Sequence, residues 1–114
     1  MDHIEEYLRQ ITQQLISIDP YRVILFGSAT ETDSDNAADI DLLVVLDRNT
    51  VCQNYEEKME NKLLVRRSIY ELSKKIPIDL IVYTKAEYAI IRQNPSAFFK
   101  EIDHKGKVLY EKAG

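Results

Sequence analysis

At 114 residues the chain is long enough for one hydrophobic core and too short for a separate substrate-binding domain, so residues 1–114 are read as a single domain. A content of 45% hydrophobic and 30% charged residues excludes an extended disordered chain, and a net charge of −4 argues against a general nucleic-acid binder, which would carry a basic face. No apolar run approaches the roughly 20 residues needed to span a bilayer, the opening Met1-Asp2-His3-Ile4-Glu5-Glu6 has no export-signal character, and the single cysteine, Cys52, has no internal disulfide partner. The expectation is a cytoplasmic protein without membrane contact.

From Asp2 to Ser17, apolar residues recur at Ile4, Tyr7, Leu8, Ile11 and Leu15, the spacing of an amphipathic helix, and Asp19-Pro20 stops it. Tyr21 to Phe26 reads as a first strand whose continuous apolar run, Val23 to Phe26, predicts helices over both faces. Gly27-Ser28 follows as a tight turn, and the polar connection Ala29–Ala38 is predicted to begin as a short helix and to open into a loop. Asp33 and Asp35 there read as solvated turn residues. Asp39-Ile40-Asp41 then leads into a second strand through Leu46.

After a loop from Asp47 to Asn54, Tyr55–Lys75 is predicted as one long helix with Met59, Leu63, Ile69, Tyr70 and Leu72 on its inner face. Its outer face carries Lys62, Arg66, Arg67, Lys74 and Lys75, read as solvated except that Arg66 or Arg67 is singled out as a functional exception that could reach an anion. Ile76–Tyr83 is a third strand, with Pro77 at its entrance. Thr84 and Glu87 have the spacing of a capping box and open a helix. Asn94-Pro95-Ser96 opens another, with Ala97, Phe98, Phe99 and Ile102 toward the core. Gly106 turns the chain into Lys107–Tyr110, a strand expected at the sheet edge. The fold class is α/β (α+β), a small mixed, twisted sheet of three to five strands backed by helices.

The chemistry concentrates in the aspartates. In a strand, alternate side chains share a face, so Asp39 and Asp41 project together, about 7 Å apart along the chain. Carboxylates so placed repel, and a divalent cation relieves the repulsion; an oxygen-only set suits magnesium, and the pair can serve two ions. Gly27 and Ser28 supply an anion end, glycine by letting a phosphate approach the backbone and serine by donating its hydroxyl. Asp79 is a lone acid among Ile78, Leu80, Ile81 and Val82, where a buried carboxylate needs a cation or donors. His3 and His104 lack ligand spacing and read as surface residues, and Cys52 reads as incidental rather than nucleophilic.

Gly27-Ser28, ten residues, Asp39-Ile40-Asp41 and the later Asp79 together resemble the signature of the nucleotidyltransferase superfamily with the DNA polymerase beta type of fold. The chain's brevity makes it most similar to the minimal nucleotidyltransferases, small antitoxins paired with a helical HEPN partner in toxin–antitoxin systems. The resemblance runs from about Tyr21 to Tyr110. It implies a magnesium-dependent enzyme, with manganese as a substitute, in which Asp39 and Asp41 hold two ions, Asp79 completes the catalytic one and polarises the attacking hydroxyl, and Gly27-Ser28 hold the β- and γ-phosphates. It further implies ATP as donor, AMP as the group transferred, a hydroxyl of a HEPN-domain protein as acceptor, and a hetero-oligomer. The sequence departs from the pattern where relatives carry Ala-Arg-Gly: Thr30-Glu31-Thr32 stands there, and Ala38 replaces a serine. No Lys or Arg occurs between Arg22 and Arg48, so Glu31 and its neighbouring aspartates form an acidic field. The alternative reading is a catalytically faded module of the same fold that neutralises its partner by contact.

Overall fold

The computed structural model describes residues 3–27 and 39–113. Helix α1 (His3–Ile16) buries Ile4, Leu8, Ile11 and Leu15 along one stripe, as their spacing requires. It ends before Asp19, which takes a left-handed φ of 52°, and Pro20 begins strand β1 (Pro20–Phe26). Strand β2 (Ile40–Leu46) pairs with β1 in antiparallel fashion. The chain then crosses over through α2 (Tyr55–Ser68) and the single turn α3 (Tyr70–Ser73) to reach β3 (Ile78–Thr84), which runs parallel to β2. A parallel neighbour demands such a crossover, because a hairpin reverses direction. Helices α4 (Lys85–Gln93) and α5 (Ala97–Lys105) precede β4 (Lys107–Glu111), which takes the edge position expected of it by pairing with β1. Among the described residues the sheet has four strands in the order β3-β2-β1-β4.

Both faces of the sheet are covered. Alternation sends Val23, Leu25, Leu42, Val44 and Leu80 to one face, where α1 meets them with Ile11 and Leu15 and the crossover with Val65, Ile69 and Leu72. The other set, Ile24, Leu43, Val45 and Ile81, packs against Tyr88 of α4 and Phe99 and Ile102 of α5. Fully burying a side chain of this size stabilises by about 1.5–3 kcal/mol, so the central strand β2, buried on both faces, anchors the fold.

Two expectations are corrected. The long helix is broken at Ile69, whose φ of −119° leaves the helical region and whose N–H bonds back to Arg66 O. Its inner face is Asn61, Val65, Ile69 and Leu72, whereas Leu63 and Tyr70 are exposed and Met59 is half-buried. On α5, Phe99 and Ile102 are buried as expected, but Ala97 and Phe98 are exposed.

Candidate active site

Because β1 and β2 are antiparallel and β2 and β3 parallel, the end of β1 and the starts of β2 and β3 fall on one edge of the molecule. The register is Phe26 opposite Asp41 and Asp41 opposite Asp79. Neighbouring strands lie about 4.8 Å apart, so Asp41 and Asp79 project side by side from one face. Ile40 N–H donates to Pro77 O at 3.0 Å and fixes this register where the strands enter the sheet. Asp39 stands one residue before β2, exposed, on the same face by alternation.

Gly27 closes the turn after β1 with a φ of +76°, a region that residues with a Cβ rarely adopt. A Cβ built there would lie 2.2 Å from Asp41 Oδ2. The glycine therefore lets the backbone pass against the carboxylate. Phe26, the residue before it, meets Phe98 of α5 edge to face at 5.7 Å, so a half-exposed aromatic flanks the turn.

Burial first, and then the charges of Asp79 and Asp39, push the Asp41 carboxyl above the usual aspartate range; a hydrogen bond between the Asp41 and Asp79 carboxyl groups acts the same way. Asp79 is exposed on the edge strand rather than buried among apolar neighbours, which corrects the reading of it as an isolated interior acid. Its partner in the register, not burial, makes it significant. Arg66 is half-buried and donates from Nη1 to Ile78 O at 3.1 Å. The crossover helix thus places a guanidinium next to the strand position that precedes Asp79, although one donor is spent on the backbone. Ser28, Glu31 and the connection through Ala38 lie outside the described residues.

The donor set fits a hard divalent cation, since it is carboxylate oxygen only and an ion would relieve the repulsion that raises the Asp41 carboxyl. Among the described residues, no group of three or more His, Cys, Asp or Glu side chains is arranged closely enough to hold an ion. Asp41 and Asp79 form a pair, and Asp39 acts on Asp41 through its charge. His104 is exposed, as expected. Cys52 is half-buried, takes a hydrogen bond from Asn61 Nδ2 at 3.2 Å, and has its thiol pushed up, first by burial and then by Glu87, so it is a poor nucleophile.

The sequence matches the polymerase beta nucleotidyltransferase family over residues 6–113. The chain belongs to that family. Among curated proteins none matches. Among solved structures, this nucleotidyltransferase fold is similar to that of a toxin–antitoxin structure with AMP-PNP, with a TM-score of 0.53 and 17% identity over 92% of this chain and 73% of the other. It is similarly close to a mutant of the MntA–HpeT toxin–antitoxin pair, with a TM-score of 0.51, 16% identity and coverage of 92% and 73%. No helix among the described residues of this nucleotidyltransferase domain is long and apolar enough to cross a membrane.

Proposed function

We propose that this chain is a magnesium-dependent nucleotidyltransferase that moves AMP from ATP to a hydroxyl of a HEPN-type protein partner, as the antitoxin of a cytoplasmic toxin–antitoxin pair. The observation that carries the reading is the register that sets Asp41 beside Asp79 with Gly27 against the Asp41 carboxylate. The structures of toxin–antitoxin pairs, one with AMP-PNP, support the partner class and the nucleotide. When bound, two magnesium ions would supply charge neutralisation at the entering and leaving oxygens.

Asp41 and Asp39 would hold the ions and Asp79 would share one of them. Gly27 and Ser28 would position the β- and γ-phosphates through the backbone and the serine hydroxyl. The acceptor hydroxyl attacks the α-phosphorus in line as the bond to pyrophosphate breaks, and its proton passes toward Asp79. Arg66, already fixed beside Ile78 O, has remaining donors for a phosphate oxygen. A second reading, neutralisation by contact alone, is favoured by Glu31, which adds an acid where a phosphate-binding arginine stands in relatives.

Replacing Asp39 and Asp41 together by Asn separates the two readings. Co-expressed with its partner, the double variant is expected to remain bound while the partner no longer gains the mass of an AMP. Transfer at the original rate by the double variant would overturn the metal assignment. Neutralisation without any mass gain, even with the unmodified chain, would establish the contact reading.

A further inference from the structure

Strand β3 forms an outer edge of the sheet. The bond from Ile40 N–H to Pro77 O directs the odd-numbered residues of the strand toward β2, so the N–H and C=O groups of the even-numbered ones point outward. Two of these are already engaged at the ends, Ile78 O by Arg66 and Thr84 N–H by Glu87 Oε1. Between them, Leu80 and Val82 present backbone groups that no other described residue engages.

A groove of about 520 Å3 runs along this stretch. One wall is α2, from which Lys58 and Lys62, four residues apart and one above the other along the helix, line the groove with Met59. The opposite wall is α4, with Ile90 and Ile91, and Val51 closes the rim. Ile90 is 55% and Val51 41% exposed, which leaves apolar surface uncovered on that side. Glu87 also lines the groove, but its carboxylate accepts from the N–H groups of Thr84 and Cys52. Neither Lys58 nor Lys62 forms an ion pair among the described residues. In a chain of net charge −4 this is a local positive wall beside an open strand.

We propose that the edge of β3 accepts an extended segment of a partner protein as an added strand. Its acidic side chains would alternate toward Lys58 and Lys62, and its apolar ones toward Ile90 and Ile91. The two walls lie on opposite faces of the sheet, because α2 packs on one and α4 on the other. An added strand sends successive side chains to opposite faces, so the walls demand an acidic–apolar alternation. Lysines beside an edge deter indiscriminate pairing and leave an acidic strand as the favoured guest. This docking does not depend on nucleotide transfer.

The test uses the full chain, isotope-labelled, with a peptide of about eight residues alternating glutamate and valine, enough to run along β3. Binding is expected to shift the amides of Leu80 and Val82 and to slow their hydrogen exchange. The variant Lys58→Glu with Lys62→Glu, at an exposed and a half-buried position of α2 and checked for an intact fold by thermal melting, is expected to bind that peptide about tenfold more weakly. The same variant is expected to prefer a lysine–valine counterpart. Equal affinity of the original chain for both peptides, shifts confined to other surfaces, or protection of Leu80 and Val82 through self-association of two copies would each overturn the proposal.

Discussion

Asp41 is the residue in which the fold and the site conflict. Burial and the charges of Asp79 and Asp39 raise its folded-state pKa above the ordinary value of 3.8. A carboxyl so raised stabilises the folded state below that ordinary value, and the benefit is lost as pH rises through the folded-state value. At neutral pH the ionised Asp41 therefore costs stability in metal-free protein. Asp41→Asn is expected to raise the melting temperature at pH 7 by a few degrees, at most about 1 kcal/mol because solvent screens the site, and to lose that advantage below about pH 4. A lower melting temperature at pH 7 would contradict the repulsion. Gly27→Ala places a Cβ both in a left-handed backbone and against Asp41 Oδ2, so it is expected to cost at least about 1–2 kcal/mol in denaturant melts and to weaken metal affinity by displacing that carboxylate. The carboxylates were legible in the sequence because strand alternation and Asp79's place in a third strand suffice to suggest them. That Gly27 packs on Asp41 was not legible, since register between strands is a tertiary fact.

At the scale of elements, the start of α4 follows from local chemistry alone. Thr84 Oγ1 accepts from Glu87 N–H at 3.1 Å and Glu87 Oε1 accepts from Thr84 N–H at 2.9 Å, the reciprocal cap that the spacing predicts. Thr84 is also buried, so its hydroxyl has no solvent alternative. Thr84→Val keeps the volume and removes the cap, with an expected loss of about 1–2 kcal/mol in chemical denaturation; a loss near zero would show that packing alone sets this helix start. Burial tends to raise the Glu87 carboxyl, but the N–H groups of Thr84 and Cys52 more than offset this and hold it below the usual range, so the cap weakens as pH falls through its folded-state value. The break at Ile69 was not legible, because no glycine or proline marks it. Asn61 was likewise missed: it is buried because its amide accepts from Arg48 at 2.7 Å and donates to Cys52 Sγ, a long-range pairing that helical periodicity does not encode. Lys58 was overlooked among the basic residues, although its spacing from Lys62 and Arg66 would have revealed it.

Over the whole molecule, three distant segments meet at one edge of a sheet whose two apolar faces are packed by helices. The alternation of apolar runs with amphipathic segments made the mixed sheet and its helical cover readable, and β4 takes the edge position read for it, although its neighbour β1 was not legible. That no described strand pairs with the outer edge of β3 came only from the topology. At the end of the sheet opposite the aspartates, Lys112 after β4 joins the start of β1 to the end of β2 by bridging Asp19 and Asp47 at 2.8 and 2.7 Å, which raises its own ammonium group well above the usual lysine range. Magnesium binding to the folded state stabilises by mass action, so millimolar magnesium with ATP is expected to raise the melting temperature of the unmodified chain. The same addition is expected to leave Asp41→Asn with Asp79→Asn unmoved. An equal shift in both proteins would place the ion elsewhere.

The central claim, that Asp41 and Asp79 form the transfer site, is tested most directly with ATP labelled at the α-phosphate, incubated with the purified chain, magnesium and a HEPN-type partner. The label is expected on the partner with the unmodified chain, to vanish on chelation, and to fall at least a hundredfold with Asp41→Asn and Asp79→Asn together, as the loss of a charge-stabilising site requires. Label transfer at the original rate by that double variant would contradict the claim.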